Sequence, residues 1–199
     1  MRETIQSRNI TIARETKETS VNIVLTIDPP QITTDIHTGI GFFDHMLTLL
    51  AFRSGMSLTV NCQGDLGVDG HHTVEDVGIV MGQTLAQLLG DKAGLARYGA
   101  ASIPMDESLA QVALDISGRG YLVFNVPMPA SQVGAFDTEL VEEFFRAFAH
   151  NAGITLHINL AYGRNTHHII EAIFKAVGVA LGQAVRVTGQ DIPSTKGVL

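Results

Sequence analysis

Gly55-Met56-Ser57-Leu58-Thr59-Val60-Asn61 reads as a turn followed by an alternating strand, and Gly153-Ile154-Thr155-Leu156-His157-Ile158-Asn159 repeats it at an offset of 98 residues. Upstream, Phe42 to Leu50 aligns with Leu140 to Phe148 at the same offset. Downstream, His71-His72, Glu75 and Gly82 match His167-His168, Glu171 and Gly178 at an offset of 96, so one loop is two residues shorter in the second copy. Ordered matches over some forty residues identify a duplication. The halves fall at roughly 1–93 and 94–199, as two similar units of one compact pseudo-symmetric whole.

Each half predicts strands, helix, strand, helix. In the first, Ser20–Ile27 alternates as a strand, Phe42–Phe52 is a helix, Leu58–Cys62 a strand and His71–Leu89 a longer helix. In the second, Ala110–Ile116 and Tyr121–Val126 are strands, Asp137–Asn151 a helix, Ile154–Leu160 a strand and Thr166–Val187 a helix. One apolar stripe per helix and one apolar face per strand predict an α+β fold, each half a sheet with helices packed on one face.

Composition narrows the function. Of 199 residues, 45% are hydrophobic, enough for a buried core and against disorder. The 13 Lys and Arg against 20 Asp and Glu argue against a general nucleic-acid surface. Cys62 is the single cysteine, which removes disulfide frameworks and cysteine-rich zinc sites and fits a reducing compartment. Met1-Arg2-Glu3-Thr4 lacks the apolar run of a signal peptide, and no stretch is long enough to span a bilayer. A soluble, cytoplasmic protein with no membrane partner is expected.

Four of the eight histidines sit in the two adjacent pairs. On a helix, residues i and i+4 share a face, while neighbours point about 100° apart. His71 and Glu75 can therefore grip one ion together, and His72 looks elsewhere; His167, His168 and Glu171 repeat the arrangement. A single such motif is more often surface polarity, but its retention in both copies points to two metals. Asp69 and Asn165 are matching N-cap candidates that put the histidines in the first helical turn, where the helix dipole disfavours imidazolium. His45 and His157 offer further imidazoles, each more often structural when taken alone. Six histidines and two glutamates without thiolate suit an octahedral divalent ion, with manganese, iron or zinc all open. Arg97, Arg119, Ser194 and Lys196 lie near glycines and could cradle an anion. His37 and His150 read as structural.

These motifs carry a resemblance. Thr38-Gly39-Ile40-Gly41-Phe42-Phe43-Asp44-His45-Met46-Leu47, Asp69-Gly70-His71-His72-Thr73-Val74-Glu75-Asp76 and Gly163-Arg164-Asn165-Thr166-His167-His168-Ile169-Ile170-Glu171 resemble the signatures of the imidazoleglycerol-phosphate dehydratase family. Glu15-Thr16-Lys17-Glu18-Thr19, Arg97-Tyr98-Gly99 and Pro193-Ser194-Thr195-Lys196-Gly197 also fit, so the similarity runs along the chain. Gly70, Arg53 and Gly120 depart from it, standing where Asp, His and Pro are usual.

The resemblance implies a hydro-lyase of histidine biosynthesis that dehydrates D-erythro-imidazoleglycerol phosphate to imidazoleacetol phosphate. It implies two Mn2+ per active site, stabilising substrate imidazolate and held by His45, His71, His72, Glu75, His157, His167, His168 and Glu171. Arg97, Arg119, Ser194 and Lys196 would hold the substrate phosphate, and Glu18 would be the acid/base group. A homo-oligomer follows, a 24-subunit shell built from trimers with sites between subunits. A metal-dependent hydrolase and a non-catalytic metal-binding shell protein remain as alternatives; phosphate ligands together with Glu18 favour the lyase.

Overall fold

The computed structural model describes residues 7–199; the expectation attached to Met1-Arg2-Glu3-Thr4 lies outside them. The first half comprises β1 (Arg8–Glu15), β2 (Thr19–Ile27), β3 (Thr34–His37), α1 (Gly41–Ser54), β4 (Ser57–Gly64) and α2 (His71–Leu89). The second comprises β5 (Tyr98–Met105), β6 (Ser108–Asp115), β7 (Tyr121–Asn125), β8 (Gln132–Val133), β9 (Phe136–Asp137), α3 (Leu140–Ala152), β10 (Thr155–Tyr162) and α4 (Thr166–Ala184). Two four-stranded sheets result, ordered β1-β2-β4-β3 and β5-β6-β10-β7, with β3 and β7 the parallel members. The chain is α+β with two similar halves.

The register extends the duplication beyond the sequence matches. Ile12 faces Ile23 and Ile23 faces Val60 in the first sheet. Ala101 faces Val112 and Val112 faces Ile158 in the second. The hairpins therefore correspond at an offset of 89, and Glu18-Thr19 corresponds to Glu107-Ser108. The β8–β9 ribbon lies in the longer connection of the second half and displaces the start of α3 from Asp137 to Leu140. The α4 helix ends at Ala184 rather than Val187.

Alternation buries Val21, Ile23, Leu25 and Ile27 on β2, and Leu58, Val60 and Cys62 on β4, under α2. The helices of each half cover their own sheet and also pack across the duplication: α1 on α4, and α2 on α3. Gly82 and Gly178 make that approach possible. A Cβ on Gly82 would lie 2.6 Å from the Phe148 carbonyl, and one on Gly178 would lie 2.6 Å from the Leu50 carbonyl. Leu50 and Phe148 are themselves repeat partners, so the two helix pairs are the same contact made twice. One hydrophobic core runs through both halves. Among the described residues no helix is long and apolar enough to cross a membrane.

Candidate metal centre

The α1–α4 crossing brings a histidine of one half to a histidine–glutamate pair of the other. His45 Nε2 lies 3.8 Å and His167 Nε2 3.3 Å from the same oxygen, Glu171 Oε2. Ligand atoms of the three residues all fall within 4.8 Å of one another. Two imidazole nitrogens and a carboxylate oxygen around one point suit a divalent cation in donor type and spacing. Burial pushes the Glu171 carboxyl up, but Lys175, 2.5 Å from Oε1, and the two histidines outweigh it, so Glu171 titrates below the usual carboxylate range. Lys175 occupies Oε1 and leaves Oε2 to the histidines. Phe42 packs edge-on against the His167 ring at 5.2 Å and helps fix its orientation.

The repeat gives α2 and α3 the matching sequence positions. Position 143 is the partner of His45 at offset 98, and Glu143 stands there, five residues before Phe148 as His45 stands five before Leu50. Although the α2–α3 and α1–α4 contacts correspond, metal-donor atoms gather, among the described residues, only at His45, His167 and Glu171. The expected eighth donor, His157, is elsewhere. It sits on β10 between Leu156 and Ile158, whose side chains are buried beneath the helices, so alternation turns its exposed ring to the opposite face of the sheet. His157 is not in the group that His45, His167 and Glu171 form.

His72 and His168 diverge from their neighbours as a helix requires, with interplanar angles of 88° and 82° to His71 and His167. Each is backed by a carboxylate. His72 Nδ1–H donates to Asp65 at 3.0 Å, and His168 Nδ1–H donates to Glu107 at 2.7 Å. These bonds raise both imidazoles above their ordinary pKa, and His168 holds Glu107 well below the carboxylate range. The helix dipole, expected to favour neutral rings, is opposed at His72 and His168 by these carboxylates. A carboxylate in hydrogen-bond contact outweighs partial charges at a helix end. Nδ1 bonding leaves Nε2 as the outward nitrogen, the arrangement of a carboxylate–histidine–metal triad. Asp65 and Glu107 occupy non-equivalent positions, so repeat matching could not have found them. Asn165 caps α4 by accepting from the His167 and His168 amides. Asp69 does so for His71 only, from one residue before the cap position at Gly70.

Glu18 lies at the tip of the β1–β2 hairpin, its carboxylate 56% exposed and 3.8 Å from His72 Nε2. Its repeat partner Glu107 accepts from the Arg164 and Asn165 amides, from Ser108 Oγ and from His168. One carboxylate of the pair is thus fully used and the other free. Cys62 takes no part: burial, with Asp76 and Asp44 nearby, pushes its thiol up to about 11.

Arg97, Arg119, Ser194 and Lys196 converge on one cavity of about 850 Å³, also lined by Ser117 and Gly118. Arg97 is a wall of that cavity as well as a charge. It pairs with Asp115 through Nε at 2.7 Å and Nη2 at 3.1 Å, and Nη1 donates to the Pro193 carbonyl at 2.7 Å. Two of its five N–H groups remain free. Gly120 has no room for a side chain, since a Cβ there would collide with the His150 backbone.

The cavity and the metal group stand at opposite ends of α4. The Arg97 amide bonds the Ala184 carbonyl at the C-terminus, whereas His167 is in the first turn. Seventeen residues at 1.5 Å each separate them by about 25 Å.

Comparison with known proteins gives one result. The family model of imidazoleglycerol-phosphate dehydratase matches residues 38–181. The chain is 57% identical over 194 residues to the imidazoleglycerol-phosphate dehydratase of Oceanobacillus iheyensis, covering 96% of this chain and 100% of that protein. It is 55% identical over 193 residues to that of Desulforudis audaxviator, covering 96% and 98%. The crystal structure of the Staphylococcus aureus enzyme superposes with a TM-score of 0.82 at 50% identity, covering 90% of this chain and 99% of that one. The Pyrococcus furiosus structure gives 0.81 at 36% identity, covering 94% and 100%. With 96% of the chain covered by relatives 55–57% identical to it, the chain belongs to the imidazoleglycerol-phosphate dehydratase family.

Proposed function

We propose that this chain is a metal-dependent hydro-lyase that dehydrates imidazoleglycerol phosphate to imidazoleacetol phosphate in histidine biosynthesis. The observation that carries the metal dependence is the convergence of His45, His167 and Glu171 on one point. Family membership carries the substrate. One ion is held by His45, His167 and Glu171, and a second by His71, Glu75 and Glu143. His72 and His168, which stand outside the His45, His167 and Glu171 group, complete the sets of neighbouring chains. Bound Mn2+ supplies Lewis acidity at the substrate's ring nitrogens.

The residues of the chain do the rest. Arg119, Ser194, Lys196 and the two free N–H groups of Arg97 bind the phosphate and fix the three-carbon arm. Glu18 removes the C–H proton two carbons from the ring, while the hydroxyl beside the ring leaves as water after accepting a proton. The enol so formed tautomerises to the ketone. The span of about 25 Å between the phosphate cavity and the metal group exceeds the reach of a five-membered ring bearing a three-carbon phosphate. A site that uses both is built from more than one chain, which supports a homo-oligomer, a 24-subunit shell built from trimers, working in the cytoplasm. Incubating manganese-loaded protein with imidazoleglycerol phosphate and following imidazoleacetol phosphate tests the reading. No product from fully loaded protein would overturn it.

Lys196→Ala is expected to raise KM by roughly tenfold to a hundredfold, the scale of one charge-assisted contact of about 1.5–3 kcal/mol. Unchanged kinetics would place the phosphate elsewhere. Arg97→Ala is expected to cost stability as well as affinity, because it strands Asp115 and the Pro193 carbonyl. The effect of Arg97 is therefore not confined to substrate binding.

Asp65→Asn and Glu107→Gln are each expected to weaken manganese binding by roughly ten- to a hundredfold without removing a ligand. Calorimetric titration with manganese reads this directly, and wild-type affinity in both variants would show that the triads are idle. The pH dependence has a definite sign. In metal-free protein each raised imidazole stabilises the fold fully below its unfolded pKa, and this is lost as pH rises through the raised value. Metal competes with that proton, so affinity falls as pH drops through the same range.

A further inference from the structure

Asp76 follows Glu75 in the motif, yet it turns away from the metal face. It is buried and faces the β1–β2 hairpin. Asp76 Oδ2 accepts from Thr19 Oγ1 and lies 2.6 Å from Arg14 Nη1, an ion contact without the alignment of a directed hydrogen bond. Thr19 Oγ1 is 3.2 Å from Thr16 Oγ1. Thr16 Oγ1 accepts from the backbone N–H of Glu18 at 3.1 Å and of Thr19 at 2.9 Å. The hydroxyl protons are accounted for. Thr19 donates to Asp76, the Thr16 hydroxyl has Thr19 Oγ1 at 3.2 Å and the Thr19 carbonyl at 3.4 Å as acceptors, and the Thr16 oxygen receives the two amides. An unbroken chain of contacts runs from a buried carboxylate to the backbone of Glu18.

The second half has no such chain. The residue equivalent to Asp76 at offset 96 is Ala172. Its hairpin glutamate, Glu107, is held by its own carboxylate, which accepts from two amides, a hydroxyl and an imidazole. A proton-transferring carboxylate has two conflicting needs: its position must be fixed and its oxygens must be free. Glu18 meets both because the fixing contacts end on its backbone.

We propose that Asp76 is a positioning residue for Glu18, anchoring the hairpin tip through Thr19 and Thr16 in the one half of the duplication whose glutamate is kept for chemistry. This rests on the reading of Glu18 as the acid/base group. The test uses the manganese-loaded full-length protein and the variants Asp76→Asn, Glu18→Gln, their combination, Thr19→Val and Thr19→Ser. Asp76→Asn is expected to lower kcat by roughly tenfold to a hundredfold, the scale for a misplaced catalytic group, with KM and manganese content unchanged. Amide exchange at Glu18 and Thr19 is expected to quicken. In the Glu18→Gln background the same substitution is expected to change kcat by less than about twofold, since a residue that acts only through Glu18 has nothing left to act on. Thr19→Val is expected to follow Asp76→Asn, and Thr19→Ser, which keeps the hydroxyl, to recover most of the turnover. Thr19→Val leaves the Arg14–Asp76 contact in place and carries the test if Asp76→Asn fails to fold. A full additional loss in the double variant, or normal kcat in Asp76→Asn and Thr19→Val while Glu18→Gln is crippled, overturns the inference alone. Normal turnover in Glu18→Gln overturns the acid/base reading itself, and the inference with it.

Discussion

Glu18→Gln is expected to reduce turnover by roughly a hundredfold or more, the usual scale for a lost acid/base group, and to leave fold and manganese content intact. The substitution preserves side-chain shape and removes only the capacity to take a proton. Stability should be unaffected because Glu18 is exposed and no part of the fold hangs from its carboxylate; the hairpin is held by Thr16, Thr19 and Asp76 instead. Metal content should be unaffected because the carboxylate is 3.8 Å from His72 Nε2, near a proposed ligand without replacing one. Steady-state assay of product alongside elemental analysis checks both halves of the expectation. Wild-type kcat would remove Glu18 from the mechanism, and loss of manganese would make it a ligand. The corresponding change at Glu107 should behave in the opposite manner, weakening metal binding, because that carboxylate is engaged by His168 and by backbone.

Chelation is expected to break a 24-subunit shell into trimers, an eightfold fall in mass, and manganese to restore it. One chain gathers three donors at His45, His167 and Glu171, fewer than an octahedral ion takes. His72 and His168 are ring-perpendicular to the histidines beside them and lie outside this group, so in the proposed scheme they serve ions of neighbouring chains. An ion shared in this way converts its binding energy into assembly energy. Its removal leaves imidazoles and carboxylates facing each other across an interface, and acid acts in the same direction because protonated imidazole cannot ligate. Light scattering before and after chelation, with elemental analysis showing two ions per chain falling to none, decides the matter. A particle of unchanged mass after confirmed metal loss would show that protein contacts alone hold it.

The sequence by itself determined the duplication, the central strands β2, β4, β6 and β10, all four helices, and the helical face that pairs each first histidine with its glutamate. Those features are carried by local periodicity, and a period survives drift in individual residues. The strands it did not announce are β1, β3 and β5, all sheet edges, and the two-residue β8 and β9; the fourth edge, β7, it did announce. Edge strands bury one face incompletely, so Arg8 and Arg14 can share the half-buried face of β1 with Ile10 and Ile12, and Pro104 can sit in β5 without breaking a ladder. Only the tertiary structure decided which groups work together. His45 reaches His167 and Glu171 because α1 crosses to the other half's helix, while alternation along β10 turns His157 away from the helices. Asp65 and Glu107 came to His72 and His168 from unrelated loops, seven and sixty-one residues away in the chain. The correspondence of Glu18 with Glu107 needed strand register, because the longer β6–β10 connection shifts the hairpin offset from 98 to 89. Spacing along a helix is a local quantity and is written in the sequence. Distance between elements is fixed by packing, through contacts such as those at Gly82 and Gly178, and no local pattern encodes it.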